Sequence, residues 1–108
     1  MLKIWGRTNS INVQKVLWCC AETSVPFERI DAGMQFGVNN TPEYKAMNPN
    51  GLVPLINDDG FLLWESHAIV RYLARKHGLG TLCPSDPQIA ADADRWMEWY
   101  STVLWNYM

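Results

Sequence analysis

The hydrophobic residues near the start of the chain follow strand spacing, then helix spacing, then strand spacing again. Residues 2–5 form a short apolar segment, and residues 27–30 alternate in the manner of a half-buried strand. Either Ser10 or Asn12 can cap the intervening helix, because a short polar side chain accepts from the free N–H groups of a first turn. Between the two strands, apolar side chains recur at helical intervals, at Val13, Val16, Leu17 and Cys20.

The next part of the chain predicts a loop, an irregular helical turn, a hairpin and a further helix. Residues 31–40 are rich in Gly and Asn and indicate a mobile loop, and residues 41–44 begin a helical turn. Residues 55–64 place a polar turn between two apolar segments, as in an antiparallel hairpin, and residues 66–76 have helical spacing. This order of elements predicts an α/β fold, a mixed four-stranded sheet with helices on its faces.

The pattern divides the chain into a first domain, a linker and the beginning of a second domain. We predict a domain over residues 1–80 and a linker over 81–87, which is marked by Gly78 and Gly80 just before it and by Pro84 and Pro87 within it. Residues 88–108 keep helical spacing to the last positions, and no Gly or Pro interrupts it. Aromatic side chains cover more than one side of this helix, which predicts that it needs neighbours. We therefore expect it to be the first helix of an all-α second domain that is truncated here.

Composition narrows the function by excluding several classes of protein. With 48% hydrophobic and 19% charged residues, the chain is typical of a globular domain rather than a disordered one. A net charge of −2 and the absence of a basic cluster argue against a nucleic-acid partner. No secretory signal and no membrane-spanning segment are recognisable, so a cytoplasmic location without a membrane partner is expected. Three cysteines, two of them adjacent, indicate neither a disulfide framework nor a metal site.

Two short segments predict a site for a small peptide. A proline set against a strand can hold a cis bond that turns the backbone of the preceding residue outward, so Pro54 would expose Val53 to an extended ligand. Glu65 and Ser66 come where a helix begins, and together with free N–H groups they can hold an ammonium and a carboxylate. Read alone, Glu65 is a solvated acid and Ser66 an ordinary helix cap. Together, the segments predict a site for an amino-acid end.

The same segments carry a family resemblance. Asn-Pro-x-Gly-x-Val-Pro-x-Leu/Ile at 48–56 and Trp-Glu-Ser-x-Ala-Ile-x-x-Tyr-Leu at 64–73 resemble the N-terminal half of soluble glutathione S-transferases, near the bacterial theta, beta and delta-like classes. The resemblance implies a thioredoxin-like fold and glutathione as co-substrate. It also implies a cis-proline at Pro54, a backbone contact to the cysteinyl part from Val53, and γ-glutamyl contacts from Glu65 and Ser66. For the full-length protein it implies a homodimer, an electrophilic substrate and a role in detoxification.

The resemblance also suggests a residue that activates the thiol. In classes that use serine, the hydroxyl lies six residues before a valine, and Ser10 stands in that relation to Val16. A hydroxyl or amide at a helix N-terminus can donate to a thiolate, which the helix dipole also favours. Ser10 is the predicted catalytic residue. The alternatives are that Ser10 only caps the helix, or that a neighbouring side chain is the donor, at Thr8, Asn9 or Asn12.

Other positions are possible ligand contacts. Asn39 and Asn40, and also Gln35, lie in the Gly-rich loop and would reach the glycine carboxylate of glutathione. His67 stands where some relatives have Arg, so it would touch the ligand or a partner subunit, although an exposed helix His is the plainer interpretation.

Three functions remain open at this point. The first is a glutathione transferase, and the second is a glutathione-binding or structural module without catalysis. The third, a glutaredoxin-like redox protein, needs a cysteine at the start of the first helix, where this chain has Ser10.

Overall fold

The computed structural model describes residues 1–107 and contains four strands, four α-helices and two short 3-10 turns within that range. The predicted α/β order is confirmed. The α-helices and strands are β1 (Leu2–Trp5), α1 (Ile11–Thr23), β2 (Phe27–Ile30), α2 (Pro42–Met47), β3 (Leu55–Asp58), β4 (Phe61–Trp64), α3 (Ser66–His77) and α4 (Pro87–Thr102). The 3-10 turns span Met34–Phe36 and Leu104–Tyr107.

The four strands form one mixed sheet in the order β2-β1-β3-β4. β1 runs parallel to β2 and antiparallel to β3, where Ile4 lies opposite Ile56. β3 and β4 form the predicted hairpin, whose turn is closed by the Gly60 N–H donating to Asn57 Oδ1 at 2.6 Å. Because β1 and β3 are the inner strands, their central residues are fully buried and supply the floor of the core.

α1 and α3 pack against each other and against the sheet to make the main core. Apolar residues one helical turn apart, such as Val16 and Cys20 on α1 and Ile69 and Leu73 on α3, face inward. Cys19 also belongs to this core, and all three cysteines are free. The two helix starts are thereby placed at one end of the sheet, near the loop that leads into β3.

The last part of the chain differs from its prediction in two ways. α4 begins at Pro87, inside the predicted linker, and it ends at Thr102 instead of continuing to the last residues. At the C-terminal end, side chains compete for the helix carbonyls: Thr102 Oγ1 donates to Glu98 O, and Asn106 Nδ2 donates to Thr102 O. The chain tightens into a 3-10 turn that brings Trp105 to 6.0 Å from Tyr100, measured between ring centroids.

α4 is held by polar contacts and keeps much of its aromatic surface exposed. Arg71 on α3 forms ion pairs with Asp94 and Glu98 on α4, at 2.8 and 2.7 Å. Trp96 is 59% exposed and Trp99 42% exposed, and no residue of α4 is buried. In residues 1–107, no helix is both long and apolar enough to span a bilayer.

The Gly-rich loop predicted to be mobile contains local structure. Met34–Phe36 form a 3-10 turn, and the Gly33 N–H donates to the Gly37 carbonyl at 2.8 Å.

Candidate functional site

The loop before β3 presents backbone to a cavity because buried side chains hold it in place. Tyr44 Oη and Asn48 Nδ2 both donate to the Leu52 carbonyl, at 2.6 and 2.9 Å, and both side chains are about 1% exposed. The next peptide bond, between Val53 and Pro54, is cis. Residues of α2 and its C-cap thus determine where the Val53 backbone lies.

The start of α3 provides the second part of the site. Glu65 occupies the cap position with φ 78° and ψ 111°, a conformation that is rare for a residue with a side chain. Such backbone is concentrated at functional sites, where the surrounding structure must hold it in place. The Glu65 side chain makes no capping hydrogen bond, and Ser66 is the first helical residue rather than the cap. The N–H groups of the first turn therefore remain without a side-chain partner from Glu65.

A cavity of about 530 Å³ joins these two parts. Most of the predicted ligand residues line it together, namely Asn12, Val53, Pro54, Glu65, Ser66 and His67. The cavity therefore combines exposed backbone with an acid, a hydroxyl and a helix N-terminus.

The far wall of the cavity is made by α1 and α4. Lys15 Nζ lies 2.9 Å from His67 Nε2 and 4.3 Å from the centroid of the Tyr100 ring. Burial lowers the pKa of Lys15, and the negative charge of Glu65 partly offsets this effect. The pKa of His67 is lowered by burial and further by the positive charges of Lys15 and Arg71. Burial thus disfavours the charged form of both Lys15 and His67, most simply giving a hydrogen bond between Lys15 Nζ and an uncharged imidazole.

A second cavity of about 420 Å³ adjoins the first and is mainly apolar. Trp18, Trp96 and Val70 contribute to its lining, and Lys15 and His67 border both cavities.

A family model described as "Glutathione S-transferase, N-terminal domain" matches residues 1–75. The chain belongs to the glutathione S-transferase family. It is 49% identical to glutathione S-transferase GstB of Escherichia coli K12, an alignment that covers 98% of this chain and 52% of GstB.

Solved glutathione S-transferases share its fold. A theta class enzyme from Xanthomonas axonopodis pv. citri with glutathione bound superimposes with a TM-score of 0.91 at 49% identity, over 94% of this chain and 49% of the other. An epsilon-class enzyme from Musca domestica gives a TM-score of 0.92 at 32% identity, over 98% and 49% of the two chains. The chain therefore spans about half the length of these relatives, and its thioredoxin-like fold is confirmed.

Against this family pattern, the structure separates the candidates for the thiol donor. Ser10 is 6% exposed and does not line the cavity, and its Oγ lies 3.5 Å from the Val13 N–H, as expected of a helix cap. Asn12 does line the cavity. Asn9 is exposed and lies outside the cavity lining. Catalysis by Ser10 stays a prediction, and the capping role is what the described contacts show.

The loop residues are placed away from the cavity lining. Asn39 Nδ2 donates to the Gly51 carbonyl at 2.9 Å, so its amide ties the loop to the segment before Val53. Asn40 is exposed and Gln35 is exposed, and neither borders the cavity in the described structure.

The sequence reasoning missed Lys15, Asn48 and Tyr100, which all line the cavity. Lys15 comes three residues after Asn12, so the two lie on one face of α1, and this spacing was a usable signal. Tyr100 depends on the docking of α4, for which the sequence holds no comparable signal.

Proposed function

We propose that this chain is the glutathione-binding half of a glutathione transferase that activates the thiol of glutathione for attack on an electrophile. The observation that carries the proposal is the single cavity shared by the Val53–Pro54 backbone and the Glu65–Ser66 helix start. The relative from Xanthomonas with glutathione bound supports the choice of ligand.

The cysteinyl part and the γ-glutamyl end of the ligand have complementary groups in this cavity. The backbone of Val53 pairs with the cysteinyl part as an added strand would. The Glu65 carboxylate accepts from the γ-glutamyl ammonium, while the Ser66 hydroxyl and the N–H groups of the first turn of α3 donate to the carboxylate. We propose that the glutathione sulfur lies toward the N-terminus of α1, because Asn12 of its first turn lines the same cavity as Val53.

Thiol activation then requires a donor at that N-terminus. A free cysteine thiol has a pKa of about 8.5, and lowering it by ~2 units requires roughly 3 kcal/mol of preference for the anion. One hydrogen bond to a charged group contributes ~1.5 to 3 kcal/mol, and the dipole of α1 adds to it. Ser10 is the donor that we propose, and Asn12 is the alternative donor because it borders the cavity.

Thiolate absorbance of bound glutathione tests the proposal in the full-length protein. The wild type should show the thiolate band at neutral pH, and Ser10→Ala should lose it with little change in glutathione affinity. Ser85→Ala, an exposed serine outside the cavity lining, is the matched control. If Asn12→Ala loses the band and Ser10→Ala keeps it, Asn12 is the donor and the assignment to Ser10 is wrong.

A glutathione-binding module without catalysis is the second candidate, and the enclosed position of Ser10 favours it. Such a module would bind glutathione with no thiolate band in any variant. A glutaredoxin-like function is disfavoured because Cys19 and Cys20 lie in the core, and burial raises the pKa of Cys20 to about 11, with Cys19 adding to this shift.

We further propose that the full-length protein is a cytoplasmic homodimer acting in detoxification. The exposed aromatic side chains of α4 support the presence of additional protein surface against this helix. Gel filtration coupled to light scattering should report twice the monomer mass, and a monomer would contradict the proposal.

A further inference from the structure

Lys15 is a partly buried cation with no acidic partner among residues 1–107. Its ammonium contacts only the neutral acceptor His67 Nε2 and the face of the Tyr100 ring. Arg71, which also lines the cavity, differs because it pairs with two carboxylates, Asp94 and Glu98. A desolvated ammonium without an anionic partner raises the free energy of the folded protein. Binding an anion therefore stabilises Lys15 more than it would stabilise a surface lysine.

The position of Lys15 is set by contacts from two other helices. His67 on α3 accepts from Lys15 at Nε2, which leaves the ring proton on Nδ1, where it points to Ser101 Oγ on α4 at 3.3 Å. The Tyr100 ring covers another side of the ammonium. An ammonium has three N–H donors, and only one is used by His67. The other N–H donors of Lys15 therefore remain available to a ligand, because this side chain borders the cavity.

The start of α3, where the α-carboxylate of the γ-glutamyl end of glutathione is proposed to bind, is close to Lys15. His67 follows Ser66 directly in the chain, and Lys15 lies within the electrostatic influence of Glu65, so the ammonium is close to the start of α3. We infer that Lys15, held by His67, binds the α-carboxylate of glutathione together with Ser66. This inference rests on the proposed function. The Glu65 carboxylate then binds the α-ammonium of the ligand, and the Lys15 ammonium binds its α-carboxylate.

A carboxylate on the electrophilic substrate would satisfy the same chemistry. Acidic side chains line both cavities, Glu22 in the mainly apolar one and Glu65 and Glu98 in the first. Only the first cavity adds the Ser66 hydroxyl and the N–H groups at the start of α3, which can share a carboxylate with Lys15. The first cavity, which holds Ser66, is therefore the favoured direction.

Calorimetric titration of the full-length protein with two ligands tests the inference. The ligands are glutathione and its analogue 4-aminobutyryl-cysteinyl-glycine, which lacks the α-carboxylate of the γ-glutamyl residue. Lys15→Met should bind glutathione about 10- to 100-fold more weakly, the range expected for one charge-assisted hydrogen bond. The same variant should bind the analogue as the wild type does, and Lys15→Arg should keep most of the affinity for glutathione.

Controls separate a ligand contact from a structural effect. Lys3→Met removes the same charge from an exposed position on β1 and should bind both ligands normally. Lys15→Gln keeps a donor toward His67 without the charge, and it replaces Lys15→Met if the latter does not fold.

The outcomes are distinct. If Lys15→Met loses affinity equally for both ligands, Lys15 is a structural residue and the inference is wrong. If Lys15→Met binds glutathione as the wild type does, the inference is also wrong, while the proposed function remains intact. If only an acidic electrophile loses affinity, the carboxylate is that of the second substrate and the inference is wrong. If the wild type binds neither ligand, the proposed function and the inference both fail.

Discussion

Replacing Asn48 with alanine removes the side chain that holds the loop before Pro54. Asn48 is 1% exposed, and its Nδ2 donates to the Leu52 carbonyl at 2.9 Å. Its Oδ1 accepts from the Asn50 backbone N–H and from Asn50 Nδ2, each at 3.1 Å. Three hydrogen bonds at about 0.5–1.5 kcal/mol each give an expected loss of about 1.5–4.5 kcal/mol in the free energy of unfolding.

The assay is urea denaturation at neutral pH, followed by tryptophan fluorescence, together with glutathione titration. Because Asn48 positions the residue that precedes Val53, we expect weaker glutathione binding as well as lower stability. Asn50→Ala is the comparison variant for stability, because it removes only the Asn50 Nδ2 hydrogen bond from an exposed side chain and keeps the backbone N–H; it should cost about 0.5 kcal/mol. A loss below 1 kcal/mol for Asn48→Ala, or equal losses for the two variants, would refute the reasoning.

Three further predictions concern other parts of the fold. Tyr44→Phe removes the second donor to the same carbonyl and should cost about 1 kcal/mol, and combined with the alanine variant above it should cost more than the sum in urea denaturation. Hydrogen bonds, first from Lys76, hold the pKa of Asp58 below its ordinary value; the resulting stability is present above about pH 4 and is lost as the pH falls through the lower folded-state pKa. Asp58→Asn should therefore flatten the acid side of the stability curve, and an unchanged curve would count against this ion pair. With the pKa of Cys20 at about 11, a thiol reagent at neutral pH should label the half-buried Cys83 much faster by mass spectrometry, and equal rates would contradict the burial.

Much of the fold is readable from local patterns. The helix of residues 11–23 and the hairpin around Gly60 follow from side-chain spacing and turn chemistry, which act between residues close in sequence. The two segments of the site are also local, because a proline and a helix start carry their own backbone preferences. Val53 and Ser66 then come together because they flank the β3–β4 hairpin, whose strands pair side by side.

The rest depends on how helices dock against one another. By sequence, Ser10 is a natural donor to the ligand, yet Ser10 is enclosed, whereas Lys15, for which the sequence analysis made no prediction, borders the cavity. The rotation of α1 against α3 and α4 decides which of its polar side chains reach the ligand, and that rotation is set by packing of the whole core. The end of α4 at Thr102 likewise depends on side-chain contacts that the apolar spacing does not contain. The sequence by itself determined the element order and the two backbone features of the site, because these arise from neighbouring residues. Only the tertiary structure decided which side chains surround the ligand, because that depends on contacts between helices distant in the chain.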